Sequence, residues 1–446
     1  MTATIYALAT APGRAAVAVV RLSGSGVGPT LRRLGVRRLR PRRASLVTLR
    51  DVAGVVLDTA LVLWFPGPAS YTGEDGAELH LHGGPAVVDA VMAALAADGL
   101  SLAAPGEFTR RAFENGKMDL GQAEAVADLV EAETAGQVRQ AVAQLQGALG
   151  RRYEGWRGDL IEVLAYLEAA VDFPDEDLPS EIEARARPVL SRLLSEVEAA
   201  LQDGERGRQI REGFRIALIG APNAGKSSLF NALCQRDAAI VTEIAGTTRD
   251  IIEVALDVAG FRVILADMAG LRETRDPIEM EGVRRARAWA DTADMRIWVV
   301  DGSAAGDAWR EGADLVRPGD LCFLNKSDLP SVGATAAAKE TAESRGLSVR
   351  SGSVRRGDAA TLRVFLMERV VEALSGGDFP ATTRARHRTQ LEAARRHLEG
   401  ALAALAAPEL AAEDVRLCAR ALGRVTGVIG VEDVLDQVFS QFCIGK

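Results

Sequence analysis

The sequence predicts a multidomain protein: an α+β N-terminal domain, an all-α helical domain, and an α/β domain inserted into the helical one. Three observations carry this. Residues 1–117 hold short strand-like runs separated by turn residues. From 118 the texture changes to apolar residues at helical spacing, and it returns to that texture after 380. Between the two helical stretches, "FRIALIG" leads into a glycine-rich loop, and strand and helix signals alternate to about 377.

Taken in order, "TIYALAT", "AAVAVVRLSG", "ASLVTLRDV", "TALVLWF" and "AELHLHG" predict strands, and "PAVVDAVMAALAADG" predicts a helix. The stretch from "MDLGQAEAVADLV" to "VLAYLEAAV" is rich in strong helix formers. After the acidic "DFPDEDLPS", another helix runs through "EIEARARPVLSRLLSEVEAAL". Beyond "SGGDFP" come "TRARHRTQLEAARRHLEGALAALA", "LAAEDVRLCARALGRVTG" and "VEDVLDQVFSQF", all helical in pattern. The expected boundaries are 1–117, 118–213, 214–379 and 380–446. The helices before 213 then pack on those after 380, since a whole domain can replace a surface connection.

Composition excludes several classes. No run approaches the ~20 apolar residues of a membrane span, and the N-terminus lacks a basic region ahead of an apolar run. A cytoplasmic location is expected. Four cysteines without a CxxC pair give neither a disulfide framework nor a zinc site. His80 and His82 share one strand face, but no further Cys or His partner set accompanies them. A net charge of −8 argues against a nucleic-acid grip by the chain as a whole. The local exception is "LRRLGVRRLRPRR", residues 31–43, with seven arginines: a solvated face or an RNA-facing patch. Only five of the 53 basic residues are lysine: Lys117, Lys226, Lys326, Lys339 and Lys446. A chain so biased toward arginine keeps lysine mainly where a compact ammonium is needed.

The inserted domain carries five ordered motifs. "GAPNAGKSS" at 220–228 matches GxxxxGKS and holds Asn223, Ala224, Gly225, Lys226, Ser227 and Ser228. Such a loop turns backbone amides toward phosphate oxygens while its lysine neutralises β/γ charge. Ser227 supplies a hydroxyl to Mg²⁺. "TEIAGTTRD" contains Thr242, Glu243, Ile244, Ala245, Gly246, Thr247 and the switch residue Thr248, which can complete the Mg²⁺ shell. "DMAG" follows a strand, with Asp267, Met268, Ala269 and Gly270 at the metal and γ-phosphate. "NKSD" provides Asn325, Lys326, Ser327 and Asp328, the last accepting two hydrogen bonds from the guanine edge. "SGS" adds Ser351, Gly352 and Ser353, with a backbone amide for guanine O6. Together they imply guanine-specific phosphate hydrolysis. Leu271 stands where Ras-like enzymes carry a water-positioning glutamine, so charge neutralisation must come from elsewhere. A monovalent cation held by Asn223 could supply it; the alternative is a plain surface asparagine.

These features closely resemble the tRNA-modification GTPase family called MnmE or TrmE. The resemblance covers the whole chain and rests on "GAPNAGKSSLFNAL", "VTEIAGTTRD", "DMAGLRE", "NKSD", "YTGEDGAELHLHGG", "APGEFTRRAFENGKMDLGQAEAVADLV" and the terminal "FCIGK". It implies an N-terminal tetrahydrofolate-binding domain that mediates homodimerisation and a Ras-like P-loop GTPase domain. Folate contacts fall on Arg21, Glu78, Lys117 and Lys446, with 5-formyl- or 5,10-methylenetetrahydrofolate as the one-carbon source. Potassium ligands fall on Asn223, Thr242, Ile244 and Thr247, and magnesium ligands on Ser227 and Thr248. Glu279 orients the attacking water. With a flavin- and NADH-using MnmG/GidA partner, the family modifies C5 of the tRNA wobble uridine. Two departures stand out: Met268 replaces the usual threonine, and Gly352 the usual alanine. Both positions act mainly through backbone. For Cys443, thiolate chemistry at the uridine and packing at a helix end stay open.

Overall fold

The computed structural model describes residues 3–38, 40–172, 179–234, 251–268, 277–331, 334–376, 379–429, 432–440 and 442–445. Of 179–182, 251, 277–282, 432–434 and 437 it describes the backbone only. In chain order the elements are β1 (Ile5–Leu8), β2 (Val17–Ser23), α1 (Val27–Arg33), β3 (Ser45–Arg50), β4 (Val56–Phe65), β5 (Gly76–His82), α2 (Pro85–Ala97), β6 (Ser101–Leu102), α3 (Glu107–Glu114), α4 (Leu120–Glu131), α5 (Ala135–Leu145), α6 (Ala148–Asp172) and α7 (Pro179–Glu212). Then come β7 (Phe214–Ile219), α8 (Lys226–Cys234), β8 (Ile251–Val258), β9 (Phe261–Met268), α9 (Pro277–Thr292), β10 (Met295–Asp301), β11 (Leu321–Asn325), α10 (Ala334–Ser344), β12 (Ser348–Ser351), α11 (Ala359–Leu374), α12 (Ala385–Ala403), α13 (Pro408–Thr426) and α14 (Glu432–Phe439).

Two units form. The first comprises Met1–Val130, Gln144–Ser195 and Thr389–Lys446. Its sheet runs β3-β4-β5-β2-β1-β6, antiparallel except for the β1–β6 pair. The strands alternate, so Val20, Leu22, Leu79 and Leu81 join Val27, Leu31, Val91 and Leu95 in one core, while on the other face Ile5 and Ala7 pack with Ala103 and Phe108. In the helical part, α6 packs along α13, with Arg416 bridging to Glu168 at 2.9 Å. Leu120 and Ala123 of α4 meet Leu435, Val438, Phe439 and Phe442 near the C-terminus. That cluster leads the last residues onto the N-terminal sheet.

The second unit, Glu131–Ala143 with Glu196–Arg388, is built on a sheet ordered β12-β11-β10-β7-β9-β8. Only the β8–β9 pair is antiparallel. Its central strands are buried on both faces, as a parallel sheet covered by helices requires. Ile216, Leu218, Ile297, Val299, Leu321 and Phe323 enter one core. Ala217, Ile219, Trp298, Val300, Cys322 and Leu324 point into the other. Truncating one of these, such as Leu218→Ala, removes about 2–5 kcal/mol.

Several details exceed the sequence reading. The helical text from 118 is three helices, because Thr134 opens α5 by accepting from Gln137 and Gly147 turns with φ +82°. Helix α7 continues past 201 through two glycines. Side-chain carbons at 204 and 207 would lie 1.9 Å from Thr382 Oγ1 and 2.1 Å from Thr382 O, so the returning chain crosses the helix there. Helices α1 and α3 and the short β6 carry too little periodic signal to be expected.

Candidate functional site

Strand β7 ends in the loop that opens α8, at the carboxyl edge of the parallel strands. Gly225 has φ +101°, and a side-chain carbon there would lie 2.2 Å from Asn325 Nδ2. Asn223 also takes a left-handed φ of +61° and is exposed, as are Ser227 and Ser228. Lys226 is buried, and its ammonium donates to the carbonyls of Gly220 at 2.8 Å and Ala221 at 3.0 Å. Burial pulls its pKa below the ordinary lysine value, while Asp267 and Glu311 oppose that shift.

Asp267, at the end of β9, is buried, and its Oδ1 has no hydrogen-bond partner. A buried carboxylate oxygen left unmatched is costly unless something else meets it. This fits a hydrated divalent cation at the β/γ-phosphates. Met268, the residue after it, has its side chain wholly inside the adjoining core, so the departure from threonine is absorbed there.

The "NKSD" and "SGS" segments, expected to recognise the base, are tied to the "GAPNAGKSS" loop. Asn325 donates from Nδ2 to Ala224 O at 2.8 Å and accepts Val354 N–H on Oδ1 at 3.2 Å. Lys326, with φ +61°, places its ammonium 2.6 Å from Asp301 Oδ2. Burial works against the Asp301 carboxylate, but Lys326 and Ser303 hold it below the usual range. Asp328 Oδ1 is covered yet unpartnered. The Ser353 hydroxyl beside Asp328 helps hold its carboxyl below the ordinary value. An ionised acceptor with its Oδ1 unmatched is what a guanine N–H pair would meet. Ser327 N–H donates to Gly352 O at 3.2 Å, and Ser353 N–H to Asp358 Oδ2 at 2.7 Å. A side-chain carbon at 352 would come within 2.9 Å of Asp358 Cβ, which accounts for glycine there.

In the N-terminal sheet, Arg21 on β2 and Glu78 on β5 are cross-strand partners. Arg21 Nη2 and Nε donate to Glu78 Oε1 at 3.0 and 3.3 Å. The guanidinium also lies 5.5 Å from the Tyr71 ring centre and 5.9 Å from that of Phe108. Arg21, Phe65, Tyr71, Glu78 and Phe108 line a cavity of about 190 Å³. Aromatic walls with an arginine and a carboxylate suit a flat, hydrogen-bonding heterocycle. The C-terminal tail reaches this place: Gly445 O accepts from Arg21 Nη1 at 3.5 Å, and Cys443 O from Gly106 N–H at 3.5 Å. The Cys443 side chain is exposed.

The sequence matches the family description "GTP-binding protein TrmE N-terminus" over residues 4–117 and "MnmE helical domain" over residues 120–443. It is 57% identical to the tRNA modification GTPase MnmE of Phenylobacterium zucineum (strain HLK1), over 450 residues that cover 100% of each chain. It is 58% identical to that of Caulobacter vibrioides (strain ATCC 19089 / CIP 103742 / CB 15) over 449 residues, again 100% of each. For Maricaulis maris (strain MCS10) the figure is 52% over 452 residues, with the same full coverage. The chain belongs to the MnmE family.

Among the residues the MnmE resemblance implies, Arg21 and Glu78 meet in one cavity. Lys117 does not line it; its ammonium donates to Pro68 O at 3.0 Å, on the loop leading to Tyr71. Lys446 lies outside the described residues, as do Thr242, Glu243, Ile244, Ala245, Gly246, Thr247, Thr248, Ala269 and Gly270. Glu279 is placed on α9 by its backbone alone. His80 and His82 are engaged by Glu78 at 3.3 Å and Asp58 at 2.7 Å, and no metal-binding cluster of His, Cys, Asp or Glu occurs among the described residues. Lys339, the lysine without an assigned site, sits 3.8 Å from Glu343 one turn along α10. Sequence reasoning missed Asp301, Glu311 and the aromatic walls Tyr71 and Phe108. The first two belong to no motif; Tyr71 was visible in "YTGEDG" but carried no assigned role.

Proposed function

We propose that this chain is a potassium-activated GTPase acting in tRNA wobble-uridine modification. With a flavin-dependent MnmG/GidA-type partner, it adds an aminomethyl or carboxymethylaminomethyl group to C5 of that uridine. The observation that carries the reading is two of the three covered, unmatched carboxylate oxygens among the described residues of the P-loop domain, Asp267 Oδ1 and Asp328 Oδ1, the third being Glu311 Oε1. Asp267 Oδ1 suits a hydrated cation at phosphate, Asp328 Oδ1 the guanine edge. On GTP binding, Lys226 exchanges the Gly220 and Ala221 carbonyls for phosphate oxygens, where its buried charge acts strongly. Asp328 accepts from the guanine N–H groups, and Glu279 orients the attacking water. Ser227 and Thr248 hold Mg²⁺, and Asn223, Thr242, Ile244 and Thr247 hold K⁺. The two cations supply positive charge to the β/γ-phosphate region.

In the N-terminal domain, Arg21, Glu78, Lys117 and Lys446 hold the tetrahydrofolate one-carbon donor. The tail's approach to Arg21 supports bringing Cys443 to the same chemistry. Homodimerisation through this domain is supported by exposed Val52, Val55 and Val56 on the β3–β4 hairpin. A cytoplasmic location is part of this reading; among the described residues no helix is long and apolar enough to cross a membrane. The domain boundaries proposed are 1–117, 118–213, 214–379 and 380–446. Mass analysis of tRNA wobble nucleosides from cells lacking this protein tests the reading. Loss of the C5 substituent is expected; an unaltered nucleoside profile would overturn it.

A further inference from the structure

The arginine-rich stretch at 31–43 contributes only Arg42 to a site described above, the Arg21–Glu78 cavity. Its backbone is fixed at both ends. Leu31, Leu34 and Val36 are buried, Val36 N–H donates to Leu31 O at 2.9 Å, and Arg50 N–H donates to Leu34 O at 3.1 Å. Farther on, Arg42 N–H donates to Trp64 O at 2.9 Å. The arginines therefore project from a held loop. Two of them are engaged: Arg33 pairs with Asp98, and Arg42 donates to Ala69 O and lies 5.7 Å from the Phe65 ring centre.

Arg37, Arg38, Arg40 and Arg43 are exposed and make no ion pair among the described residues. Other arginines of this sheet and its flanking helix, Arg21, Arg110 and Arg111, all face carboxylates. Arg37, Arg38, Arg40 and Arg50 surround a groove of about 640 Å³ along edge strand β3, where Ser45 and Thr48 add hydroxyls. On a chain of net charge −8, unpaired guanidiniums gathered at one groove form a localised anion-attracting surface.

We propose that this groove grips the phosphate backbone of the tRNA substrate. The inference rests on the tRNA reading above. Guanidiniums pair with phosphates in a forked geometry, and the Ser45 and Thr48 hydroxyls offer partners for ribose 2′-hydroxyls. Contacts of this kind position the RNA without reading its sequence.

The test measures binding of an unmodified tRNA transcript by fluorescence anisotropy across a salt series. It compares the full-length protein with the triple variants R37Q/R38Q/R40Q and R37K/R38K/R40K. Losing three phosphate contacts lowers the slope of log K against log salt by roughly 2 and weakens binding at least ~tenfold at moderate salt. The lysine variant, which keeps the charges, is expected to retain most of the slope, separating charge loss from misfolding. An unchanged slope in the glutamine variant would overturn the proposal. So would a change in oligomeric mass with tRNA binding intact, which would make the groove an interface between copies. Arginine-dependent binding to anionic phospholipid vesicles with unaltered tRNA binding would overturn it as well. If the unaltered protein binds no tRNA at all, the tRNA reading itself fails.

Discussion

Asn325 Nδ2 donates to Ala224 O at 2.8 Å, joining the "NKSD" loop proposed to read the base to the "GAPNAGKSS" loop proposed to hold the phosphates. Its Oδ1 accepts Val354 N–H, so one side chain fastens the "NKSD" loop, the "GAPNAGKSS" loop and the segment after "SGS". Asn325→Ala leaves a buried carbonyl and an amide without partners, at a cost of about 1–3 kcal/mol. GDP and GTP affinities are expected to fall together, by about tenfold or more, in calorimetric titrations. Equal affinities in mutant and parent would mean that the loops are held independently.

Asp328→Asn changes what the site reads. The amide presents a donor where guanine also donates, whereas xanthine offers an acceptor. Each lost charged hydrogen bond removes about 1.5–3 kcal/mol. Competition titrations should show weaker GTP and relatively stronger xanthosine triphosphate. Undiminished GTP binding would remove Asp328 from base recognition.

How much of this was legible before the structure depends on where the information lies. Motifs that act through a short local backbone, such as "GAPNAGKSS", are written contiguously and can be read directly. The pairing of Arg21 with Glu78 is set by β2–β5 register, across 57 residues, and no local pattern encodes it; only the family resemblance named both. Lys117, named by the same resemblance, donates to Pro68 O and is not among the residues lining the cavity, a placement that no local pattern gives. Asp301 escaped notice because its role depends on β10 lying beside β11, which brings it to Lys326. The stretch after 118 has the spacing of one continuous helical region, because the breaks at Thr134 and Gly147 interrupt the apolar spacing too briefly to show.

Hydrolysis should depend on the monovalent cation. Leu271 cannot position water as a glutamine does, and exposed Asn223 sits on the phosphate loop with φ +61°. Turnover is expected to be higher in K⁺ than in Na⁺ at equal ionic strength. Asn223→Ala should abolish the difference while leaving GDP binding largely intact. Equal rates in both salts would rule out the cation.

The four cysteines should separate by reactivity. Burial pushes the Cys234 thiol to about 11 and those of Cys322 and Cys418 to about 12, so below pH 9 these three stay protonated. Cys443 is exposed. Alkylation of the native protein at pH 7.5, mapped by peptide mass, should mark Cys443 first. Cys322 and Cys418 should react only on unfolding, and Cys234 increasingly as the pH approaches 11. Rapid labelling of Cys418 in the native protein would contradict the packing around α13.

The terminal cysteine then allows the two activities to be uncoupled. Cys443 is exposed and stands two residues before Gly445, whose carbonyl meets Arg21, and the tail belongs to a different unit from the phosphate loop. Cys443→Ser keeps the size and the tail's backbone contacts, but a serine hydroxyl stays protonated at neutral pH and supplies little nucleophilic anion. Complemented cells are expected to retain near-normal K⁺-stimulated GTPase activity in extracts while their tRNA wobble uridine stays unmodified. Removing Ile444, Gly445 and Lys446 should in addition weaken tetrahydrofolate binding, because the Gly445 carbonyl no longer engages Arg21 and the Lys446 ammonium is lost. Full wobble modification by the Cys443→Ser protein would make the sulfur a packing atom and leave the tail's contact with Arg21 as its sole contribution.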